Sequence, residues 1–355
     1  MIAAGGTAGH VVPALAVAEA LRAEGVEVAF IGGARAEARL VPAAGFPLHT
    51  ITLEGLSRTS PLRALRALAR AAVALPRARG MLAALAPDAV MGGGGYVAGP
   101  VVLAALTLRL PVVLTEADSH MGLSNRLLAP LARRVCLAFP PSSRPSPAAV
   151  RGSSRYRVTG RPTYPPSSDR GGARQRFGIR DEETCVLVFG GSLGARSINL
   201  AAIEAFAGAC FRVLHVCGER DYPDLAREQL RPGYELHAQL QPADFSDALA
   251  AADLVVARAG GSVFEIAAHG LPAVLVPYPH ATGDHQSANA RWMVQAGAAT
   301  VIEDRELSAA RLDGEVAGLL ADRSRLAAMA AAARGLARPD AAVEVAREVL
   351  EVARG

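Results

Sequence analysis

Residues 258–289, RAGGSVFEIAAHGLPAVLVPYPHATGDHQSAN, leave this chain few folds to choose from. An apolar strand over Asp253 to Ala257 runs into Arg258-Ala259-Gly260-Gly261-Ser262, and a helix carrying Glu265 opens there. A buried strand, AVLVPYP, comes next, then a polar loop with Asp284, His285, Gln286 and Asn289. Strand, glycine turn, helix, strand is a parallel βαβ unit, because parallel neighbours need a crossover. Ligands of such units sit beyond the carboxyl ends of the strands. Gly260 and Gly261 let the backbone approach a phosphate, and the helix start offers N–H groups to it. Glu265, one turn further in, is placed to accept hydrogen bonds from a ribose diol. The stretch reads as a nucleotide cradle with a polar far wall for a sugar.

The same grammar opens each half of the chain. MIAA, GGTAGH, helix VVPALAVAEALRAEG and strand VEVAFIGG form one instance; CVLVFGGSLGAR, helix SINLAAIEAFAGA and strand FRVLHVCG form the other. Each predicts a doubly wound α/β sheet, and 355 residues suffice for two such domains. The Pro-, Ser- and Gly-rich stretch from Phe139 to Arg176 reads as loop and linker, with the boundary near Gly160. The expected domains are 1–160 and 161–340, followed by an amphipathic helix from Ala341. MIAA leaves a short first strand, which fits an abbreviated sheet edge or a start upstream of Met1.

Hydrophobic residues make up 51% and charged residues 20%, as in a globular protein with large cores. The net charge of +4 is too mild to require nucleic acid, and none is expected; it suits an anionic membrane surface or phosphorylated ligands. All basic residues are Arg, which with the abundant Ala points to a GC-rich genome. Cys136, Cys185, Cys210 and Cys217 lack zinc-ligand spacing and are expected to be reduced core residues of a cytoplasmic protein. No signal peptide is expected, and the apolar run Pro100 to Leu114 is too short and broken to span a bilayer.

Other motifs carry two readings each. Gly5-Gly6-Thr7-Ala8-Gly9-His10 is either a tight turn capped by Thr7 or a turn that presents His10 as a general base to a ligand crevice. Gly190-Gly191-Ser192-Leu193-Gly194 is neither a P-loop nor a GxGxxG fingerprint; it is an anion cradle before Asn199 or a set of packing glycines. Gly92 to Gly95 before Tyr96 is a crevice wall or a flexible turn. Glu116 and Asp118 serve acid–base work, or are solvated charges or a helix cap. Residues 61–85, with Arg63, Arg66 and Arg70 among leucines, form a surface helix over the core or a basic amphipathic membrane patch. No acidic motif calls for a metal, and no cofactor is expected.

Four segments, taken in order, resemble the MurG family, the UDP-N-acetylglucosamine transferases that convert lipid I to lipid II in peptidoglycan synthesis. They are GGTAGHVVPALAVAEAL (5–21), GGYVAGP (94–100), VFGGSLGARSIN (188–199) and GLPAVLVPYPHATGDHQSANA (270–290). The resemblance implies a GT-B architecture, two Rossmann-like doubly wound domains facing across a cleft, with the last helix returning to the first domain. It implies UDP-GlcNAc on the carboxyl-terminal domain, and lipid I (undecaprenyl-pyrophosphoryl-MurNAc-pentapeptide) on the amino-terminal one. Peripheral attachment to the cytoplasmic face of the membrane and inverting, metal-independent transfer follow. By motif, the donor set is Thr7, Ala8, Gly9, Asp118, Tyr164, Ser192, Pro242, Gly261, Ser262, Val263, Phe264, Glu265, Gln286 and Asn289. Glu265 is assigned to the ribose, Ser192 to diphosphate, Pro242 to uracil, and Gln286 and Asn289 to the sugar. Tyr96 and Asn125 are assigned to the acceptor. His10 is the first choice of base and Asp118 the second. The chain departs from the family pattern with Ala8 for Gly, Asp118 for Asn, Tyr164 for Arg and a 258–265 stretch one residue shorter. The competing readings are a UDP-GlcNAc 2-epimerase, a non-catalytic nucleotide-binding module, and a UDP-sugar transferase acting on another lipid such as diacylglycerol.

Overall fold

The computed structural model describes residues 1–52, 74–140, 154–191 and 194–355. They form two compact units, Met1–Tyr164 with Asp340–Gly355, and Pro165–Pro339. The division falls after Tyr164 rather than after Gly160. The reason is Arg161, whose guanidinium is bonded within unit 1 to the carbonyls of Gly9 and Ala117.

Among the described residues, unit 1 contains a seven-stranded sheet in the order β3-β2-β1-β4-β5-β6-β7. The strands are β1 (Ile2–Ala3), β2 (Phe30–Gly32), β3 (Leu48–Thr50), β4 (Val90–Gly92), β5 (Val112–Glu116), β6 (Arg134–Leu137) and β7 (Tyr156–Val158). All pairings are parallel. Successive strand residues face opposite sides, so each side has its own core. Ile2, Phe30, Met91, Val113 and Cys136 pack under the helices Ala8–Ala23 and Ala341–Arg354. Ala3, Ile31, Val90, Val112, Leu114 and Val135 pack under Gly95–Thr107 and the helical residues 74–85. The short β1 is no sheet edge: it lies inside the sheet, between β2 and β4.

Unit 2 contains a six-stranded parallel sheet in the order β10-β9-β8-β11-β12-β13. These strands are β8 (Cys185–Phe189), β9 (Arg212–Val216), β10 (Tyr234–His237), β11 (Leu254–Ala257), β12 (Ala273–Leu275) and β13 (Ala299–Val301). Every residue of β8 and β11 is buried, as expected of central strands covered by helices on both faces. Both units are Rossmann-like. In each, the chain reverses its direction of growth beside the first strand, between β1 and β4 and between β8 and β11. Open α/β sheets bind ligands at this switch point, and both units place glycine turns there.

The helix Ala341–Arg354 joins unit 1. Val345, Ala346, Val349 and Val352, spaced along one helical stripe, enter the core with Leu15, Val17 and Leu21. Glu348 also accepts from Arg134 at 2.8 Å and Arg157 at 3.3 Å. Of the segment 61–85, residues 61–73, with Arg63, Arg66 and Arg70, lie outside the described residues. In the remainder, Ala74, Ala78 and Leu82 are buried while Arg77 and Arg79 face solvent, so this part is a core helix. Cys136, Cys185 and Cys217 are buried, and burial pushes the first two thiols up to about 12. Cys210 is exposed, contrary to the expectation of a core position. No described helix is long and apolar enough to cross a membrane.

Candidate active site

Three loops converge at the carboxyl ends of β1, β2 and β4. Helix Ala8–Ala23 begins directly after β1, with Thr7 in its cap position. The Thr7 side chain makes no cap bond to the backbone; its Oγ1 lies 3.3 Å from His10 Nδ1. Thr7 and Gly9 are exposed, and Ala8 and His10 half-buried. Ala8 is the first helical residue, so its methyl costs no backbone strain where the family pattern has glycine. The loop after β4 lies against this turn. A Cβ on Gly95 would sit 1.7 Å from the Gly5 carbonyl oxygen, and one on Gly94 would sit 2.7 Å from His10 Cδ2. Both glycines have positive φ, so side chains are excluded twice over. The Tyr96 hydroxyl donates to Glu37 Oε1 at 3.0 Å, and Arg35 stacks over its ring at 4.9 Å.

The acidic turn after β5 is more ordered than solvated charges would be. Glu116 Oε2 accepts from Gly122 N at 2.8 Å and Asn125 Nδ2 at 3.0 Å, and Oε1 accepts from Asp118 N at 3.2 Å. Burial raises the Glu116 pKa, with these three bonds pulling the other way. Asn125, expected at the acceptor, is 8% exposed and commits its amide to Glu116 and the Thr115 carbonyl. Its amide nitrogen holds the turn. Asp118 stands half-buried beside Ala117, whose carbonyl accepts from Arg161 Nη1 at 3.1 Å. Tyr164, expected with the donor domain, belongs to unit 1, where burial and then the nearby Glu19 raise its phenol.

In unit 2 the turn after β11 leads into helix Val263–Ala268. Val263 N and Phe264 N donate to the carbonyls of Gly260 and Gly261 at 3.3 and 3.2 Å. The side chains of Val263 and Phe264 are buried, Phe264 against Trp292 at 4.9 Å, so neither can reach a ligand except through backbone. Gly261, Ser262 and Glu265 are half-buried at the rim. Gln286 Oε1 accepts from Tyr278 N at 2.9 Å, which turns its amide nitrogen toward Gly260. Asn289, expected on the sugar, is fully buried with Ala290 and Met293 on the inward face of helix His285–Gln295. Its Nδ2 donates to the Ala259 carbonyl at 3.0 Å, so it supports the glycine turn from below. Pro242 is exposed at the start of helix Pro242–Ala251, beyond the carboxyl end of β10. Ser192 lies outside the described residues; next to it, Gly194 N donates to Gly191 O at 2.9 Å.

Three charged groups of these sites were not foreseen. Glu37 and Arg161 link the loops of unit 1. Arg258 is 7% exposed and pairs with Asp304 at 2.6 Å, while also donating to Ser197 Oγ and the carbonyls of Val276 and Pro277. It fastens the glycine turn after β11 to the loop after β12. A signal existed for it: a charge directly between a fully apolar strand and a glycine turn must be desolvated, and buried charges come paired.

Residues 1–137 match the glycosyltransferase family 28 N-terminal domain, and residues 185–345 match the glycosyltransferase family 28 C-terminal domain. The chain is 44% identical over 369 aligned positions to the UDP-N-acetylglucosamine–N-acetylmuramyl-(pentapeptide) pyrophosphoryl-undecaprenol N-acetylglucosamine transferase of Moorella thermoacetica, covering 99% of this chain and 98% of that one. The crystal structure of MurG from Acinetobacter baumannii superposes with a TM-score of 0.75 at 30% identity, over 99% and 98% of the two chains. A UDP-GlcNAc 2-epimerase from Neisseria meningitidis, at 14% identity and a TM-score of 0.67 over 99% and 98%, shares the fold.

Proposed function

The chain belongs to the MurG family of family 28 glycosyltransferases, and on that premise we propose that it moves N-acetylglucosamine from UDP-N-acetylglucosamine to lipid I, giving lipid II. The observation that carries this reading is full-length identity of 44% with a transferase bearing that name.

The transfer inverts the anomeric centre: the acceptor hydroxyl attacks from the face opposite UDP. His10 takes its proton. For that, Nδ1–H must donate to Thr7 Oγ1, 3.3 Å away, which puts the lone pair on Nε2. Negative charge grows on the leaving diphosphate. Backbone N–H groups of the turns after β8 and β11, and the start of helix Arg196–Ala205, stabilise it without a metal ion. Glu265 binds the ribose, the Gln286 amide the sugar, and the backbone around Pro242 the uracil. The lipid-linked acceptor places the enzyme peripherally at the cytoplasmic face of the membrane.

The test is incubation of radiolabelled UDP-GlcNAc with a soluble lipid I analogue, with diacylglycerol, and with no acceptor, each with and without EDTA. Label should pass to the lipid I analogue alone, unaffected by EDTA. Transfer to diacylglycerol, or release of a 2-epimer without acceptor, would move the assignment to one of those activities.

A further inference from the structure

A single carboxylate joins the three loops of unit 1 that carry the acceptor-side groups. Glu37, in the first turn of helix Ala36–Ala43, is fully buried. Its Oε2 accepts from Gly6 N at 2.8 Å; its Oε1 accepts from Gly33 N at 2.9 Å and from the Tyr96 hydroxyl at 3.0 Å. Gly6 belongs to the loop after β1, Gly33 to the loop after β2, and Tyr96 to the first turn of helix Gly95–Thr107, which follows the loop after β4. The surroundings are cut to fit. A Cβ on Gly33 would lie 1.9 Å from the Tyr96 hydroxyl oxygen, and one on Gly5 would lie 2.7 Å from Glu37 Oε1. A carboxylate is the side chain that accepts from three donors at once; an amide of the same shape presents an NH₂ to one set of them.

We infer that Glu37 is a positioning residue for the transfer, locking Tyr96 and the Thr7–His10 turn into one arrangement through the loops after β1, β2 and β4. The inference rests on the transferase reading above. Burying a carboxylate costs several kcal/mol unless it is fully hydrogen-bonded, and core packing alone would be met by an apolar residue. What the carboxylate adds is register between loops whose groups must meet one substrate. The Tyr96 phenol reports on the contact directly. Burial raises its pKa, the hydrogen bond and charge of Glu37 raise it further, and Arg35 and the Ala34 backbone act in the opposite sense.

The experiment compares the full-length enzyme with Glu37→Gln, Glu37→Asp and Gly33→Ala. Glu37→Gln should lower kcat by about 10- to 100-fold, the scale of misplacing reacting groups by about an ångström. KM and the calorimetric Kd for UDP-GlcNAc should stay within about twofold, since the cradle lies in unit 2. Glu37→Asp, which keeps the charge but draws it back, should restore part of the loss. With ¹³Cζ-labelled tyrosine, and Tyr96→Phe to assign the signal, the Tyr96 phenol should titrate at lower pH in Glu37→Gln. Gly33→Ala pushes the hydroxyl off an intact carboxylate, and should reproduce the kcat loss if Glu37→Gln fails to fold. Unchanged kcat in Glu37→Gln, or in Gly33→Ala if that variant must stand in, overturns the inference. So does an unchanged Tyr96 titration. An inactive wild-type enzyme overturns the transferase reading instead, and the Tyr96 titration then still decides whether Glu37 holds the loop.

Discussion

Thr7 Oγ1 and His10 Nδ1 stand 3.3 Å apart across the first turn of one helix, and a hydroxyl that accepts from Nδ1–H there leaves the Nε2 lone pair for the substrate proton. His10→Ala should lower kcat by about 10²–10⁴ while leaving donor affinity in place. Thr7→Val, which loses the acceptor but keeps the shape, should lower kcat less, and Thr7→Ser should restore it. Steady-state kinetics with a soluble acceptor separates these; a His10→Ala enzyme near wild-type turnover shifts the base to Asp118.

Gly94→Ala should damage catalysis more than stability. Its backbone has φ +94° and ψ 179°, a region open essentially to glycine, at a cost of about 1–3 kcal/mol for other residues. The new methyl would also press on His10 Cδ2 from 2.7 Å. Thermal unfolding should stay cooperative while kcat falls at least about tenfold. Wild-type kcat in a folded Gly94→Ala enzyme would show that the imidazole tolerates displacement.

Glu265→Ala should weaken UDP-GlcNAc by about ten- to a hundredfold, because a carboxylate that accepts from the hydroxyls of a ribose diol contributes roughly 1.5–3 kcal/mol. Its side chain is half-buried at the rim, so the helix should survive the change. Calorimetry reads the effect, and an unaltered Kd removes Glu265 from the site.

Acid should destabilise unit 2 through His215. Asn199 spends its amide hydrogens on Cys217 O and Asp221 Oδ2, both at 2.9 Å, so its Oδ1 must accept from His215 Nε2–H at 3.1 Å. His215 Nδ1 then accepts from the Tyr234 hydroxyl at 2.8 Å. Burial pulls the imidazole pKa down to about 3. Between about pH 6 and 4 the unfolded histidine binds a proton that the folded one refuses, so stability falls as pH falls, by up to about 1.4 kcal/mol per unit. His215→Gln should be weaker at neutral pH but show a shallower decline of urea midpoint on acidification. Parallel declines would contradict this.

We propose that the basic segment 61–85 attaches the enzyme to anionic membranes, an attachment that should respond to charge. Replacing Arg63, Arg66 and Arg70 with Glu should abolish sedimentation with phosphatidylglycerol vesicles, as should high salt, while soluble acceptors are still turned over. Binding that survives both treatments places the contact elsewhere.

Both sheets were readable from the chain because a glycine turn after a short apolar run, followed by a 3.6-residue periodicity, is a local signal. The polar groups that organise the sites were not. Glu37 and Tyr96 are 59 residues apart and Arg161 and Gly9 are 152 apart, and no local pattern records such meetings. Asn289 shows a different limit. It lies in a polar run and suggests a ligand contact, yet it shares a helical face with Met293, four positions on and fully buried. That phase was available and points inward. The returning helix was visible as an apolar stripe, but a stripe does not name the surface it covers.

That helix also sets an order of assembly. Val345, Val349 and Val352 complete a core with Ile2, Leu15 and Phe30, which leave the ribosome more than 300 residues earlier. Folding during synthesis proceeds from the amino terminus, but here the core of unit 1 keeps apolar surface uncovered until residues 341–354 have been made. Unit 2, uninterrupted over Pro165–Pro339, can finish before its elder neighbour. A nascent chain stalled near residue 340 would be the species most in need of a chaperone.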